Sequence, residues 1–459
     1  MLTLAGGCAS QGDGEGRALA RWVERDAAGF AAERPAAVDA DDWQATQRLR
    51  RDTRETAELG SDADLPAMIG YAMMHNPGLR SAFQQWRAAL ARVPQARAQM
   101  DPRLRYSYFV EQMMMRQNVG LSQTFEWWEK LKLRGEIATA EARAAEQRFE
   151  ADRLALVYDI SDAWAEWAYL AQATNLVRAN LAILESAVQA AEAGLESGRR
   201  PLADVTRAEL ELEQVADELA SLEASSAAVS ARLNAALGRP ADAPLPEAET
   251  LPSVALEAAE SQLLAWLSET NPTLRARTAE ATARRRNVKL ARQNWIPDLT
   301  VGVAWQDGVT DRGDAVELMA GVNLPIWRER LDAERAEALA QYAAATNGQH
   351  DELNQLEARV RLAHYRFRDA ARRVALYEDR LLDSARRSLE AAEAAYAEGQ
   401  VPFEALTQAQ TTLLTFELTH QRARRERFQR LAELEMLVGR PLRGPADHDE
   451  DQAAKGGER

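Results

Sequence analysis

Two periodicities alternate along this chain, and the whole succession occurs twice. Apolar positions recur at helical spacing through 64–75 and 77–100, then switch to alternation over 103–112 and 118–126, broken on the apolar side at Gln123. Helical spacing returns through 129–197 and 202–237. The same order follows at 258–270, 272–295, 298–306, 315–324, 328–398 and 403–438. Asn76-Pro77 and Asn271-Pro272 each set a side-chain cap before a proline at the first helical position. Gly198 to Pro201 and Gly399 to Pro402 break the long helical runs, and Gly238-Arg239-Pro240 and Gly439-Arg440-Pro441 stop the last ones.

The landmarks show that this is a duplication. Asn76-Pro77-Gly78-Leu79-Arg80 recurs as Asn271-Pro272-Thr273-Leu274-Arg275, an offset of 195 residues that Pro102-Arg103-Leu104 and Pro297-Asp298-Leu299 share. The Gly198 and Gly238 landmarks recur at an offset of 201. The expected organisation is a first repeat at 62–250 and a second at 257–445, flanked by an N-terminal tether at 1–61 and a disordered acidic tail at 446–459. A helix over 129–197 spans about 100 Å at about 1.5 Å per residue. So thin an element cannot bury its apolar stripe alone, so neighbours from other subunits are expected.

The alternating runs put one face in an apolar medium and the other in water. Leu104, Tyr106, Tyr108 and Val110 oppose Arg103, Arg105 and Ser107; Leu299, Val301, Val303 and Trp305 oppose Thr300, Gly302, Ala304 and Gln306. Period alone also fits a small half-buried sheet. Tryptophan placement favours a membrane: Trp127, Trp128, Trp295 and Trp327 all fall where strands meet helices, as an interfacial girdle requires. Four strands are too few to close a barrel, which needs about eight, so the barrel would be shared between copies.

Composition narrows the rest. Apolar residues make up 46% and charged residues 28%, and much of the apolar share is alanine, which favours closely packed helices. With 56 basic and 71 acidic residues the formal charge is −15, which argues against a nucleic-acid partner. There is no run of about 18 apolar residues for a membrane-spanning helix. The single cysteine, Cys8, allows no intramolecular disulfide or cysteine-cluster zinc site. Following Leu2-Thr3-Leu4-Ala5-Gly6-Gly7, it reads either as the lipidation site of a bacterial lipoprotein or as a lone cysteine in a tether.

Taken in order and in duplicate, these motifs resemble the outer-membrane efflux factor (TolC) family over about 62–442. They are the NPxLR openings, RVPQARA at 92–98, LSQTFEW at 121–127, EAGLESGRRPLADVTRAELEL at 192–212 and EAAYAEGQVPFEALTQAQTTL at 393–413. LSQTFEW looks nearest to heavy-metal and cation efflux lipoproteins that serve resistance-nodulation-division pumps. The resemblance implies a mainly α fold with a small β part: a homotrimer with an α-helical periplasmic tunnel and a shared twelve-stranded outer-membrane barrel, four strands per chain. It also implies a passive exit duct that docks onto a periplasmic adaptor and an inner-membrane pump. By motif position the adaptor would meet Gly198, Arg199, Arg200, Leu202, Val205, Gly399, Phe403 and Leu406.

The same motifs place an entrance gate at Asp204, Tyr396, Val401, Ala405 and Gln408. The sequence departs from the family pattern here. Val401 stands at the basic partner position, and Ala405 and Gln408 stand at the acidic ring positions, so the familiar charge-gated aperture is not expected. Arg199 and Arg200 form either a basic mouth or a solvated turn.

No chemistry competes with a duct. His75, His350, His364, His420 and His448 lack ligand spacing, and no phosphate loop or nucleophile set is present. Met113-Met114-Met115 do not converge on one ion, since neighbours on extended backbone alternate faces. The expectation is therefore no enzyme, no cofactor and no metal. Two other readings remain: a type I secretion duct, and a pore-less periplasmic coiled-coil scaffold.

Overall fold

A computed structural model of the chain describes residues 59–60, 63–110, 117–198, 201–248, 250–310, 313–398 and 400–442, the side chains of 308–310 and 397 excepted. The first repeat runs α1 (Leu65–His75), α2 (Pro77–Arg97), β1 (Arg103–Tyr108), β2 (Gln117–Phe125), α3 (Trp128–Glu196) and α4 (Leu202–Leu237). The second runs α5 (Glu260–Thr270), α6 (Pro272–Gln293), β3 (Leu299–Thr310), β4 (Gly313–Val322), α7 (Arg328–Leu376), a π-helical turn (Tyr377–Leu381), α8 (Leu382–Ala397) and α9 (Phe403–Val438).

Several elements differ from the pattern-based expectation, among them β3, which runs to Thr310 and not to 306, and β4, which covers Gly313–Val322 and not 315–324. The helix expected to reach residue 100 ends at Arg97, because Pro94 removes a backbone donor and Asp101-Pro102 holds the following backbone extended. The first strand stops at Tyr108, where its antiparallel partner β2 begins at Gln117. The stretch 328–398 is not one uniform helix, because a π turn interrupts it at Tyr377–Leu381.

The fold divides into two compact units, and each draws on both repeats. The first holds Ser81–Glu150 and Pro272–Asn354, including the whole sheet. Trp86 of α2 stacks on Phe149 of α3 at 5.7 Å between ring centroids, and Phe83 sits edge-on to Trp86. Along α3, Ala138, Ala140, Ala142 and Ala144 are buried and small enough for close helix approach. Arg286 of α6 pairs with Glu136 of α3 at 3.1 Å.

The second unit holds, among the described residues, 59–80, Ala151–Asn271 and 355–442. Its core is a seam of α3, α4 and α9: Tyr169, Leu170, Ala173, Val177 and Leu184 pack with Val215, Leu414 and Leu418. Trp164 meets Phe428 at 5.4 Å, and Arg425 lies over the Tyr169 ring while pairing with Glu166 at 2.8 Å.

This unit also explains why the duplicated landmarks occur together. Asn76 Oδ1 accepts from the Leu79 amide, and its Nδ2 donates to the Ala236 carbonyl at the end of α4. In the second repeat, Asn271 Nδ2 donates to the Leu437 carbonyl of α9 at 2.7 Å. Gly238 adopts φ +76 and lies against Asn76-Pro77; a Cβ there would meet the His75 carbonyl oxygen at 3.0 Å. In each repeat the opening asparagine binds the helix that closes it.

A strand sheet and two helix reversals

The four strands form one antiparallel meander in the order β1-β2-β3-β4, with β2 and β3 joining the two repeats. Its registers align whole rows of like side chains. Leu104, Leu121, Val303 and Leu318 form one row, and Tyr106, Val119, Trp305 and Val316 the next. These residues are exposed, Leu318 at 83% and Leu104 at 74%, so the apolar face lies uncovered in a single chain. The opposite face carries Arg105, Gly120, Ala304 and Glu317 in one row and Arg103, Ser122, Gly302 and Met319 in another. On that side Thr124 and Thr300 share a hydrogen bond of 2.9 Å, and Gln306 donates to Glu317 at 2.7 Å. Gln123, which breaks the apolar face, uses its amide to hold the Met100 carbonyl at 2.6 Å.

Trp127, Trp128, Trp295 and Trp327 are all exposed and lie within a few residues of the row Phe125, Leu299 and Val322. They therefore gather at one end of the sheet. Beside them is a polar junction without any local signal in the sequence. Lys130, near the start of α3, is buried, and its ammonium donates to Asp298 Oδ1 at 2.8 Å and to the Ile296 carbonyl at 2.7 Å. Asn323 accepts from the Asp298 amide, and Arg134 pairs with Glu126. The helix start of one repeat is thereby pinned to the strand start of the other.

Both helix reversals belong to the second unit. Gly198 takes φ +69, which glycine tolerates, and both following helices begin just after a proline, Pro201 or Pro402. Arg199, Arg200 and Gly399 lie outside the described residues, as do Cys8 and Met113 to Met115. Leu202 is exposed at 63%, whereas Val205, Phe403 and Leu406 are buried and give the reversals their shape. Tyr396 packs on Phe403 at 5.8 Å. Asp204 is half-buried in the first turn of α4, Val401 and Ala405 are half-buried, and Gln408 is exposed.

Among the described residues, the side-chain hydrogen bonds that join α4 to α9 near the reversals are made by residues other than Asp204. Arg207 Nη1 of α4 pairs with Glu404 Oε2 of α9 at 2.7 Å, and Thr411 donates to Glu211 at 3.0 Å. Motif position missed both. Their only sign in the sequence is opposite charge near equivalent tip positions, which does not reveal how two helices align. Among the described residues no group of three or more His, Cys, Asp or Glu is arranged to hold a metal, and no helix is long and apolar enough to cross a membrane.

A chain with one uncovered apolar sheet face and two helix reversals agrees with the comparison against known families, in which the outer membrane efflux protein family matches residues 68–239 and 263–440. The chain belongs to the outer membrane efflux protein family. It is thus an outer-membrane channel that serves efflux as an exit duct. Solved structures share the fold. The outer membrane protein VceC of Vibrio cholerae is 21% identical, with a TM-score of 0.71 over 83% of this chain and 97% of that one. The CmeC outer membrane channel of Campylobacter jejuni is 14% identical, with a TM-score of 0.73 over 92% and 96%. The open-state MtrE channel of Neisseria gonorrhoeae is 17% identical, with a TM-score of 0.72 over 89% and 97%. No curated protein matches the chain in sequence.

Proposed function

We propose that three copies of this chain assemble into one duct, with a shared twelve-stranded barrel in the outer membrane and a helical tunnel in the periplasm. The duct would complete a tripartite pump made with a periplasmic adaptor and an inner-membrane transporter of the resistance-nodulation-division type. The observation that carries this reading is the sheet. It has an uncovered apolar face, a polar face of mostly small side chains, and two outer strands, β1 and β4, each paired on one side only among the described residues. One copy supplies four strands, fewer than the eight or so that close a barrel, whereas three copies supply enough.

The reversals are proposed as the entrance. Leu202 is an exposed apolar side chain there that an adaptor could meet, and Arg207–Glu404 is an ion pair that ties α4 to α9 near the entrance. No group on the chain acts chemically in this scheme, since the transporter supplies the energy and chooses the cargo.

Planar-bilayer recordings of detergent-extracted protein test the reading. Discrete conductance steps from a heat-modifiable trimer, larger in Glu404→Ala than in wild type, are the expected result. Steps that Glu404→Ala leaves unchanged but Asp204→Ala enlarges would move the gate back to Asp204. A well-folded trimer that passes no current, in wild type or either variant, would overturn the pore.

A further inference from the structure

The long helix of the second repeat holds one residue more than that of the first, and the surplus can be located. Trp127 and Trp327 precede the two helices 200 positions apart, whereas Pro201 and Pro402 follow them 201 apart. Buried positions keep the shorter spacing at first: Leu156 with Leu356, Ile160 with Val360, Ala163 with Ala363. Further on they keep the longer one, Leu184 with Ala385. The change falls between Val374 and Leu382, the interval that contains the π turn. In a regular α-helix, residues eight apart differ in direction by about 80°. The wider turn takes up the extra residue, so Val374 and Leu382 both stay buried. Over the matching stretch α3 is continuous.

The turn places particular groups against α9. Tyr377 meets Phe416 edge to face at 5.6 Å. Glu378 Oε2 lies 4.0 Å from His420 Nε2, beyond hydrogen-bond reach. His420 is 8% exposed, and its Nε2 is buried without a hydrogen-bond partner among the described residues. The charged groups facing the imidazole are Glu378 from the turn, Arg386 from α8, and Arg424 and Arg427 from α9 itself. Arg386 also pairs with Glu417, while Arg424 and Arg427 donate to the Leu251 carbonyl and the Ser253 hydroxyl.

We propose that the π turn is an acid-sensitive joint of the second hairpin, closed over a neutral, buried His420 and loosened when that ring gains a proton. A protonated His420 would add a fourth cation to three guanidiniums, with Glu378 as the one facing carboxylate among the described residues. Burial, more than any neighbour, already pushes the imidazole's pKa below its ordinary value; Glu378 opposes that shift and the three arginines reinforce it. Because the folded state binds the proton less readily than the unfolded chain, the joint's stability is fully present above the ordinary histidine value of about 6.5. It is lost as pH falls from there toward the depressed value. The joint itself is a property of the fold. Its consequence for passage rests on the duct reading, since α8 runs from the turn to the second reversal.

Hydrogen–deuterium exchange on the intact protein in detergent tests this, read on segment 374–386 with 174–185 of the first repeat as reference. After correction for intrinsic exchange, protection of 374–386 falls about tenfold between about pH 7 and about pH 5, while the reference holds. His420→Gln abolishes the fall. Glu378→Gln moves its midpoint to lower pH, because the carboxylate that favours a charged ring is gone. An equal fall in both segments, or unchanged pH dependence in Glu378→Gln, overturns the joint. Neither result bears on the bilayer recordings that decide the duct.

Discussion

The side-chain amide of Asn76 donates to the main-chain carbonyl of Ala236 at 2.8 Å, across 160 positions of sequence. A residue that starts one helix therefore also finishes another. Asn76→Ala removes a cap and this cross-link together, and is expected to cost about 1–2 kcal/mol, read as a fall in melting temperature. Gly238→Ala should cost at least as much, because it forces a Cβ into a left-handed backbone 3.0 Å from the His75 carbonyl oxygen.

Lys130→Met keeps the length of the side chain but strands Asp298 and the Ile296 carbonyl. Breaking a mostly buried ion pair from one side costs about 3 kcal/mol. Thermal melting should show the loss, and Lys130→Arg should restore part of it. A variant as stable as wild type would mean that solvent reaches the junction.

Arg207 and Glu404 are both more than half exposed, so each alanine variant should cost less than about 1 kcal/mol in stability. Their effect is expected on current instead. Each single variant should raise conductance, and the double variant should raise it no further than either, because one pair is lost in all three.

On the sheet, Leu318→Lys and Met319→Lys put the same charge on opposite faces. At a lipid-facing position near the middle of the membrane a lysine costs about 2–4 kcal/mol. Leu318→Lys should therefore reduce heat-modifiable trimer recovered from outer membranes, and Met319→Lys should leave it close to wild type. Equal losses would argue against lipid on the Leu318 face.

Glu146 of α3 is half-buried, and burial pushes its carboxyl pKa up; Arg143 opposes the shift and Glu150 adds to it. The folded state therefore holds this proton more tightly than the unfolded chain, and the ionised form weakens the fold. Glu146→Gln should stabilise the protein at neutral pH. The advantage should shrink as pH falls through the raised value and vanish below the ordinary glutamate range, which melting curves at several pH values would show.

The fold was legible wherever local rules repeat. Asn-Pro openings, Gly-Arg-Pro stops and two strand pairs per chain mark the duplication without any knowledge of packing, and helix α9 falls where glycine and proline bracket it. What stayed hidden joins residues far apart in sequence. Lys130 and Asp298 are 168 positions apart and Arg207 and Glu404 are 197 apart, and nothing near either residue specifies its partner. Val205, Phe403 and Leu406 show the limit of motif position: the motif identifies the reversal but not which of its side chains turn inward. The π turn was hidden for a different reason. One added residue would turn the stripe beyond it by about 100°, and nothing local says whether a wider turn absorbs that rotation or the helix changes face; only the burial on either side of it shows which.

Within the chain, β2, the second strand of one repeat, pairs with β3, the first strand of the next. In a closed three-copy barrel, β4 would pair with β1 of the neighbouring copy, again a second strand against a first. The join inside a chain and the join between chains are then the same kind of join. Only the peptide between Gly238 and Glu260 makes one of them covalent. The ring is better counted as six hairpins threaded in pairs than as three subunits, and a protein cleaved in that connector should keep its barrel.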